Sequence, residues 1–201
     1  MGQTLEITVR ELKPELLDDY LKFFDQAFSD FPHWAGCYCG FYDTPGNEWD
    51  PTAKAGPEHR AARSKQISTG KAQGLLAYTD DKPVGWCNAQ SRANFLNLRH
   101  YEVAADNPSE AVGSVMCFLV NHQYRGRGIG TALLNAACDK FQRDRLTIAE
   151  GYPTTNPSKR NWEIPWAEEN YKGPLSMYLK NGFQIHRQLE RFAIVRKQLS
   201  L

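Results

Sequence analysis

The hydrophobic pattern of the chain changes most sharply between residues 115 and 141. Residues 115–120 form a short apolar run with β-branched and aromatic members, which is typical of a buried strand. Residues 129–141 place apolar side chains three and four positions apart, which predicts an amphipathic helix. Between these two segments lie Gly126, Gly128 and Gly130, together with two arginines. The chain is therefore organised around a predicted strand, a glycine-rich turn and a helix.

The same periodicities predict the elements before and after this centre. Residues 6–10 alternate polar and apolar side chains as a strand does, and residues 14–28 carry one apolar face as a helix does. Residues 74–79 and 83–90 form a predicted hairpin around a turn at 80–82. The further predicted elements are a helix at 58–69, a turn and a half of helix at 95–101, a strand at 146–152, a helix from Pro174 to Gly182, and strands at 184–187 and 192–197. A short extra strand at 37–42 is an alternative for that segment.

Composition narrows the class of protein. The chain has 201 residues and is 41% hydrophobic, which predicts one domain with a real core. Its net charge of +1 argues against a nucleic-acid-binding stripe, and no apolar run approaches the roughly 20 residues needed to cross a bilayer. The first residues lack the basic region and apolar core of a signal peptide, so we expect a cytoplasmic protein.

The cysteines do not indicate a disulfide framework or a metal site. There are five of them, an odd number, and their spacing fits no known framework. Cys37 and Cys39 form a C-x-C pair, whereas a zinc site needs two further ligands at suitable spacing. His33 is nearby in the sequence, but no second Cys or His pair follows it. We therefore expect no bound metal.

The glycine-rich turn has the chemistry of an anion-binding site. A helix N-terminus carries N–H groups without partners inside the helix and a partial positive charge. Glycine allows a positive φ and a close approach of the backbone to a ligand, and Arg125 and Arg127 add formal positive charge. The combination predicts a cradle for a phosphate or a diphosphate.

The motif narrows the ligand further. The dinucleotide fingerprint needs a glycine where Thr131 stands, and no P-loop run is present. Gln123-x-x-Gly126-x-Gly128 matches the pattern Q/R-x-x-G-x-G/A, and with a strand before it and a helix after it the stretch resembles the acetyl-CoA motif of the GNAT N-acetyltransferases. A second block, residues 177–183, resembles the L-Y-x-K-x-G-F block of that family, and residues 80–85 resemble its D-x-x-x-V-G pattern.

This resemblance implies a fold and a cosubstrate. The implied fold is an α/β (α+β) GNAT domain over residues 1–201, with a mixed, mostly antiparallel, splayed sheet of about six to seven strands flanked by helices. The aromatic-rich segment 29–57 and the long loop 153–172 carry no family pattern. The implied cosubstrate is acetyl-CoA, held by Phe118, Leu119, Val120, Gln123, Arg125, Gly126, Arg127, Gly128, Ile129, Gly130 and Thr131.

The implied reaction sets the catalytic hypotheses. An alkyl amine has a pKa of about 10 in water, so a base or a proton wire must deprotonate it. Glu150 is our candidate base because it lies late in the strand across the implied splay, and His122 is the second choice. Tyr178 matches the family tyrosine placed at the thioester sulfur, where it would protonate the departing thiolate. The alternative for Glu150, His122 and Tyr178 is that each side chain has a packing role and no catalytic one.

The acceptor and several alternatives stay open at this stage. The aromatic residues Trp34 and Tyr38 are candidates for the acceptor pocket, with plain core packing as the alternative.

The leading hypothesis is direct acetyl transfer to a primary amine, because no Cys-His-Asp spacing supports a covalent route. A non-catalytic acyl-CoA sensor or scaffold is the alternative of a different class. A methyltransferase is disfavoured because Tyr124 stands where that motif wants an acidic residue. The oligomeric state is open, with a homodimer among the alternatives.

Overall fold

A computed structural model describes six stretches of the chain. They are residues 5–27, 36–46, 48–50, 55–100, 110–156 and 170–200. The strands are β1 (Thr8–Glu11), β2 (Leu75–Thr79), β3 (Lys82–Ser91), β4 (Val112–Val120), β5 (Ile148–Gly151), β6 (Gln184–Gln188) and β7 (Ala193–Gln198). The α-helices are α1 (Leu17–Ala27), α2 (Gly56–Ser68), α3 (Ile129–Arg143) and α4 (Leu175–Lys180). Short 3-10 helices lie at Pro14–Leu16, Phe41–Asp43, Arg92–Asn94, Leu96–His100 and His122–Tyr124.

The seven strands found among the described residues form one mixed sheet. Their order is β1-β2-β3-β4-β5-β7-β6. The pair β4 and β5 is parallel and the other neighbouring pairs are antiparallel. The prediction of a mixed, mostly antiparallel sheet of six to seven strands flanked by helices is confirmed.

Helices cover both faces of this sheet because its strands alternate their buried side chains. Along β2, Leu75 and Ala77 pack in the cluster that contains the apolar face of α3, whereas Leu76 and Tyr78 pack with the buried residues of α1. Ile67 of α2 belongs to the α1 side as well. The core therefore has two layers, with α3 on one face and α1 with α2 on the other.

An irregularity in β4 lies at the centre of the sheet. The pairing of β3 with β4 shifts between Asn88 and Ala89, so that Met116 is an extra residue on β4. The parallel pairing of β4 with β5 ends at Val115 and Gly151, although β4 continues to Val120. The bulge and the end of the pairing coincide, so the two strands separate there.

Several predicted elements differ from those observed. Residues 37–42 are a turn followed by a 3-10 helix, so the alternative of a short strand is wrong. Tyr38 and Cys39 have positive φ angles of 43° and 50°, which no strand accommodates. The first turn of the predicted helix at 14–28 is a 3-10 turn, and α1 begins at Leu17, while Phe28 lies outside the described residues. The segment around 95–101 contains the 3-10 helix Leu96–His100, and Tyr101 lies outside the described residues.

Two kinds of feature are absent from the described residues. No helix in this part of the chain is long and apolar enough to cross a membrane. In the same residues, no group of three or more His, Cys, Asp or Glu side chains is placed to hold a metal ion.

Candidate functional site

The N-terminus of α3 is open. Gly128 precedes the helix with a φ of 89°, and no side chain among the described residues caps this end. Gly126 has a φ of 72°, and a Cβ atom added there would meet nothing within 4 Å. These two glycines are therefore needed for backbone conformation and not for clearance. The first-turn N–H groups of α3 are left to face the cleft described below.

The turn before α3 is fixed by local contacts. The side chain of Asn121 accepts a hydrogen bond from the Gln123 N–H at 3.1 Å. The Arg125 Nε donates to the carbonyl oxygen of Val120 at 3.1 Å, which ties the turn to the end of β4. The guanidinium of Arg127 lies 5.9 Å from the centre of the Tyr124 ring. The turn thus presents positive charge next to the open helix end.

A cavity of about 550 Å³ extends from this helix end along β4. Nine of the eleven predicted cofactor residues line it, namely Phe118, Leu119, Val120, Arg125, Gly126, Gly128, Ile129, Gly130 and Thr131. The predicted Gln123 and Arg127 are not among its lining residues. Its wall also contains six residues that no sequence pattern predicted as cofactor contacts, namely Tyr124, Asn170, Tyr171, Gly173, Pro174 and Met177.

Residues 170–174, which we call the strap, form the opposite wall of the cavity. The strap lies against the part of β4 that β5 no longer pairs, and the Phe118 N–H donates to the Tyr171 carbonyl oxygen with an N–O distance of 2.6 Å. The next carbonyl of the strap, that of Lys172, accepts a hydrogen bond from the Tyr178 hydroxyl at 2.8 Å. Two donors at the point where the strands separate are thus bonded to successive carbonyl groups of the strap.

Tyr178 is a fully buried residue of α4. Its ring lies over Gly151 at the end of β5, where an added Cβ atom would be 2.3 Å from the ring Cε1. The ring also meets Phe183 edge-on, with 5.2 Å between the ring centres. Burial raises the pKa of Tyr178 well above its ordinary value, so the hydroxyl keeps its proton at neutral pH.

The predicted base Glu150 is fully buried within an ion-pair network. Arg196 Nε donates to one carboxylate oxygen at 2.6 Å, and Arg92 Nη1 lies 3.4 Å from both oxygens. The Tyr152 hydroxyl donates to the other oxygen at 2.5 Å and lies 2.8 Å from the Ser114 hydroxyl. Because Ala149 packs on the α3 side, the alternation of β5 places Glu150 on the opposite face of the sheet.

The structure describes one of the two acceptor candidates. Trp34 lies outside the described residues. The hydroxyl of Tyr38 donates to Asp25 Oδ1 at 2.7 Å, and Asp25 is also ion-paired with Arg60 at 2.8 Å. The Tyr38 ring stacks on Phe24 with 6.0 Å between the ring centres. The structure does not place Tyr38 among the residues that line the cavity beside β4.

The second-choice base, His122, lies in the 3-10 helix that begins the turn, and its side chain is exposed. The structure therefore places it beyond the C-terminal end of β4, outside the residues that line the cavity and away from the point where β4 and β5 separate. A role for His122 as base stays a prediction.

The chain resembles known acetyltransferases in sequence and in fold. A model of the Acetyltransferase (GNAT) family matches residues 42–163. No curated protein sequence matches the chain. Among solved structures, an acetyltransferase of the GNAT family from Listeria monocytogenes is 14% identical, with 99% of this chain and 98% of that chain covered and a TM-score of 0.56.

Two further similar structures were solved with a bound cofactor. The PaiA N-acetyltransferase from Thermoplasma acidophilum, in complex with coenzyme A, is 15% identical over 96% of this chain and 99% of that chain, with a TM-score of 0.54. The yncA protein from Salmonella typhimurium, a putative acetyltransferase with acetyl-CoA, is 12% identical over 96% of this chain and 94% of that chain, also with a TM-score of 0.54. At these identities the likeness shows the fold alone.

Proposed function

The chain belongs to the Acetyltransferase (GNAT) family, and we propose from this that it transfers an acetyl group from acetyl-CoA to a primary amine by direct attack in a ternary complex. Acetyl-CoA is the cosubstrate of this family. The observation that carries the proposal is the uncapped N-terminus of α3, which opens into a cavity along the unpaired edge of β4. The placement of the seven strands of the described residues in one sheet supports the proposal that the chain is a single domain. A cytoplasmic location stays a prediction.

The residues of the cavity fit acetyl-CoA, which supplies the activated acetyl group when it is bound. The N–H groups of Ile129, Gly130 and Thr131, with the charge of Arg125, would hold the diphosphate, because an open helix end favours an anion. The edge of β4 from Phe118 to Val120 would align the pantetheine arm through backbone hydrogen bonds. A cavity of about 550 Å³ falls within the volume range of cofactor sites.

Two donors would act at the reacting atoms. The N–H of Phe118 would stabilise the negative charge that develops on the acetyl oxygen, as an oxyanion-hole donor does. The hydroxyl of Tyr178 would give its proton to the sulfur, and its raised pKa keeps that proton available at neutral pH. Because both groups now bond to carbonyls of the strap, each must exchange that bond for one to the substrate.

Glu150 remains our proposed route for the amine proton. Its carboxylate faces the side of the sheet opposite α3, and the amine would approach from that side. The Tyr152 hydroxyl donates to this buried carboxylate, so a proton would reach it through that hydroxyl rather than by direct contact with the amine. The aromatic residues Trp34 and Tyr38 remain proposed acceptor contacts, and no described contact of Tyr38 tests this.

A sensor of acyl-CoA is the second candidate function. The observation that favours it is the strap, whose two carbonyls occupy the donors that the reaction needs. A protein that keeps the strap in place with CoA bound would hold the cofactor without turning it over.

A single assay separates the two functions. The purified chain is mixed with acetyl-CoA and a panel of small amines, amino acids and lysine peptides, and free thiol is followed. Release of thiol that depends on the amine supports the enzyme. Tight binding of CoA without such release supports the sensor, and absence of CoA binding contradicts both.

A further inference from the structure

The amine of Lys172, in the strap, lies on the face of the sheet opposite α3. Its nitrogen is 4.9 Å from the centre of the Phe192 ring and 5.8 Å from the centre of the Tyr171 ring. Both rings pack against the cluster that contains Tyr152, whose hydroxyl bonds to Glu150. An amine of the chain itself is therefore placed on the side from which we propose that an acceptor amine approaches.

Lys172 is largely shielded from water. The residue is 8% exposed, and it is not among the residues that line the cavity beside β4, although Tyr171 and Gly173 are. An ammonium ion between aromatic rings keeps a favourable contact for its charge but loses hydration. Burial, followed by the charge of Arg191, lowers the pKa of this amine to about 8, so its neutral fraction at neutral pH exceeds that of an exposed lysine.

The backbone of the same segment is bonded to the two donors of the proposed reaction. The Lys172 carbonyl accepts from the Tyr178 hydroxyl at 2.8 Å, and the Tyr171 carbonyl accepts from the Phe118 N–H at 2.6 Å. If these donors turn to a thioester, its reacting carbonyl lies against the strap. The amine of Lys172 is then one flexible side chain away from the carbon that must be attacked.

Two further hydrogen bonds of the strap do not involve these donors. The Tyr171 hydroxyl lies 3.0 Å from the Tyr42 hydroxyl, and the Gly173 N–H donates to the Asn170 carbonyl at 2.9 Å. An exchange of the donor bonds therefore leaves the strap anchored beside β4. Lys172 stays close to the site during that exchange, which favours a reaction within one chain.

We propose that Lys172 is a modification site, at which the chain transfers an acetyl group from acetyl-CoA to its own lysine; this inference rests on the proposed function. The neutral amine attacks the thioester carbonyl carbon, a C–N bond forms and the C–S bond breaks. The nitrogen loses one proton and the departing sulfur gains one from Tyr178. The products are an N-acetyl-lysine and the thiol of CoA.

The product is a stable amide, so it accumulates and is not an intermediate on the route to another amine. Acetylation also removes the charge of the side chain. A neutral side chain carries no penalty for burying a charge, so the acetylated form is compatible with the same place between the rings. We therefore expect one acetyl group per chain and no transfer from Lys172 onward.

The test uses the full chain and peptide mapping by mass spectrometry, with two acetyl donors that reach lysines differently. Acetic anhydride approaches from solvent, so the exposed Lys180 should react faster than the buried Lys172. With acetyl-CoA the order should reverse, and Lys172 should react about tenfold or more faster than Lys180, because the acetyl group is delivered from the site. Lys140 of α3, which is also buried but paired with Asp144, is the matched control and should stay unmodified by acetyl-CoA.

A mixing experiment tests whether the transfer occurs within one chain. Parent protein is mixed with ¹⁵N-labelled Tyr178→Phe protein, which keeps Lys172 but lacks the proton donor, and acetyl-CoA is added. We expect acetyl-Lys172 on the unlabelled chains, at a rate constant that does not change when the mixture is diluted. Equal acetylation of both chains, or a rate constant that falls on dilution, overturns transfer within the chain.

The remaining outcomes separate this proposal from the proposed function. Lys172→Met should gain no acetyl group from acetyl-CoA, whereas Lys180→Met should gain one as the parent does, and circular dichroism checks that both are folded. The same order of lysine reactivity with both donors overturns the proposal. A parent chain that releases thiol with added amines but never acetylates Lys172 also overturns it, and leaves the proposed function standing. Absence of CoA binding contradicts both.

Discussion

Tyr178 combines a packing role with a chemical one, and substitution can separate them. Its ring fills the space above Gly151 and contacts Phe183, whereas its hydroxyl bonds only to the Lys172 carbonyl among the hydrogen bonds described. Removal of the hydroxyl therefore leaves the packing in place. It deletes one proton donor and one of the hydrogen bonds that hold the strap.

We expect Tyr178→Phe to lower kcat by about 100-fold, because proton donation to the sulfur is lost. The KM for acetyl-CoA should change much less, since the ring still packs on Gly151. Steady-state kinetics measure both constants, and a thermal melt shows whether the fold is intact. A variant with the kcat of the parent protein would remove Tyr178 from the mechanism.

The pKa of Lys172, which follows Tyr171 in the strap, reports on the burial of its side chain. Burial, followed by the charge of Arg191, lowers the pKa of its amine to about 8. The folded protein therefore releases this proton at lower pH than the unfolded chain does. Below pH 8 the folded state carries the whole free-energy penalty of the buried charged amine. This penalty falls as the pH rises toward the ordinary lysine pKa of about 10.4, so the folded state becomes more stable over that range.

A comparison with Lys172→Met isolates this effect, because the other titrating groups are common to both proteins. We expect the parent protein to gain stability relative to Lys172→Met between about pH 8 and pH 10. Urea unfolding at a series of pH values gives the two free energies. A difference in free energy that stays constant across this range would show that the amine is not buried as described.

At the scale of elements, the junction of β4 and α3 was predictable because its function depends on residue type. Gly126 and Gly128 have positive φ angles. Because glycine adopts such angles more readily than other residues, the glycines in the sequence indicate the turn. The strap contributes backbone carbonyls, which every residue has, so no pattern pointed to Tyr171. The bulge at Met116 carries no glycine or proline, and the arginines that bind Glu150 come from distant segments. Interactions of these kinds need the fold before they can be recognised.

The conformation of Gly128 can be tested against a matched control. Gly70, in the turn after α2, has a φ of 68° and no atom within 4 Å of an added Cβ, and Gly128 has only the Ile7 Cδ1 at 4.0 Å. We expect Gly128→Ala and Gly70→Ala each to cost about 1 kcal/mol of stability. Only Gly128→Ala should weaken CoA binding, by about tenfold or more, which calorimetry measures. If Gly128→Ala and Gly70→Ala bound CoA with equal affinity, the diphosphate would not bind at Gly128.

At the scale of the whole molecule, the sheet separates two routes to the reacting atoms. The open end of α3 and its apolar face lie on one side, while Glu150 and the turn at 36–43 lie on the other. The gap between β4 and β5 joins them, because pairing stops at Val115 and Gly151. With acetyl-CoA at α3 as proposed, an amine on the Glu150 side would be bound at the same time, as direct attack requires.

This arrangement predicts a kinetic pattern for whichever amine proves active. Initial rates at varied acetyl-CoA and amine concentrations should give intersecting lines in a double-reciprocal plot. Cys39→Ser should show the same pattern, because no cysteine is acetylated in the proposed route. Parallel lines for the parent protein would indicate a covalent intermediate and would contradict direct attack.

The binding of the diphosphate at the N-terminus of α3 is the claim on which the other proposals about acetyl transfer depend. Backbone amide signals of ¹⁵N-labelled protein, followed by NMR during titration with CoA, report on it residue by residue. We expect the largest shifts at Gly128, Ile129 and Gly130, with a further shift at Phe118 as its N–H leaves the Tyr171 carbonyl. Saturable binding of CoA that leaves the amides of residues 126–131 unshifted would contradict the assignment of this site.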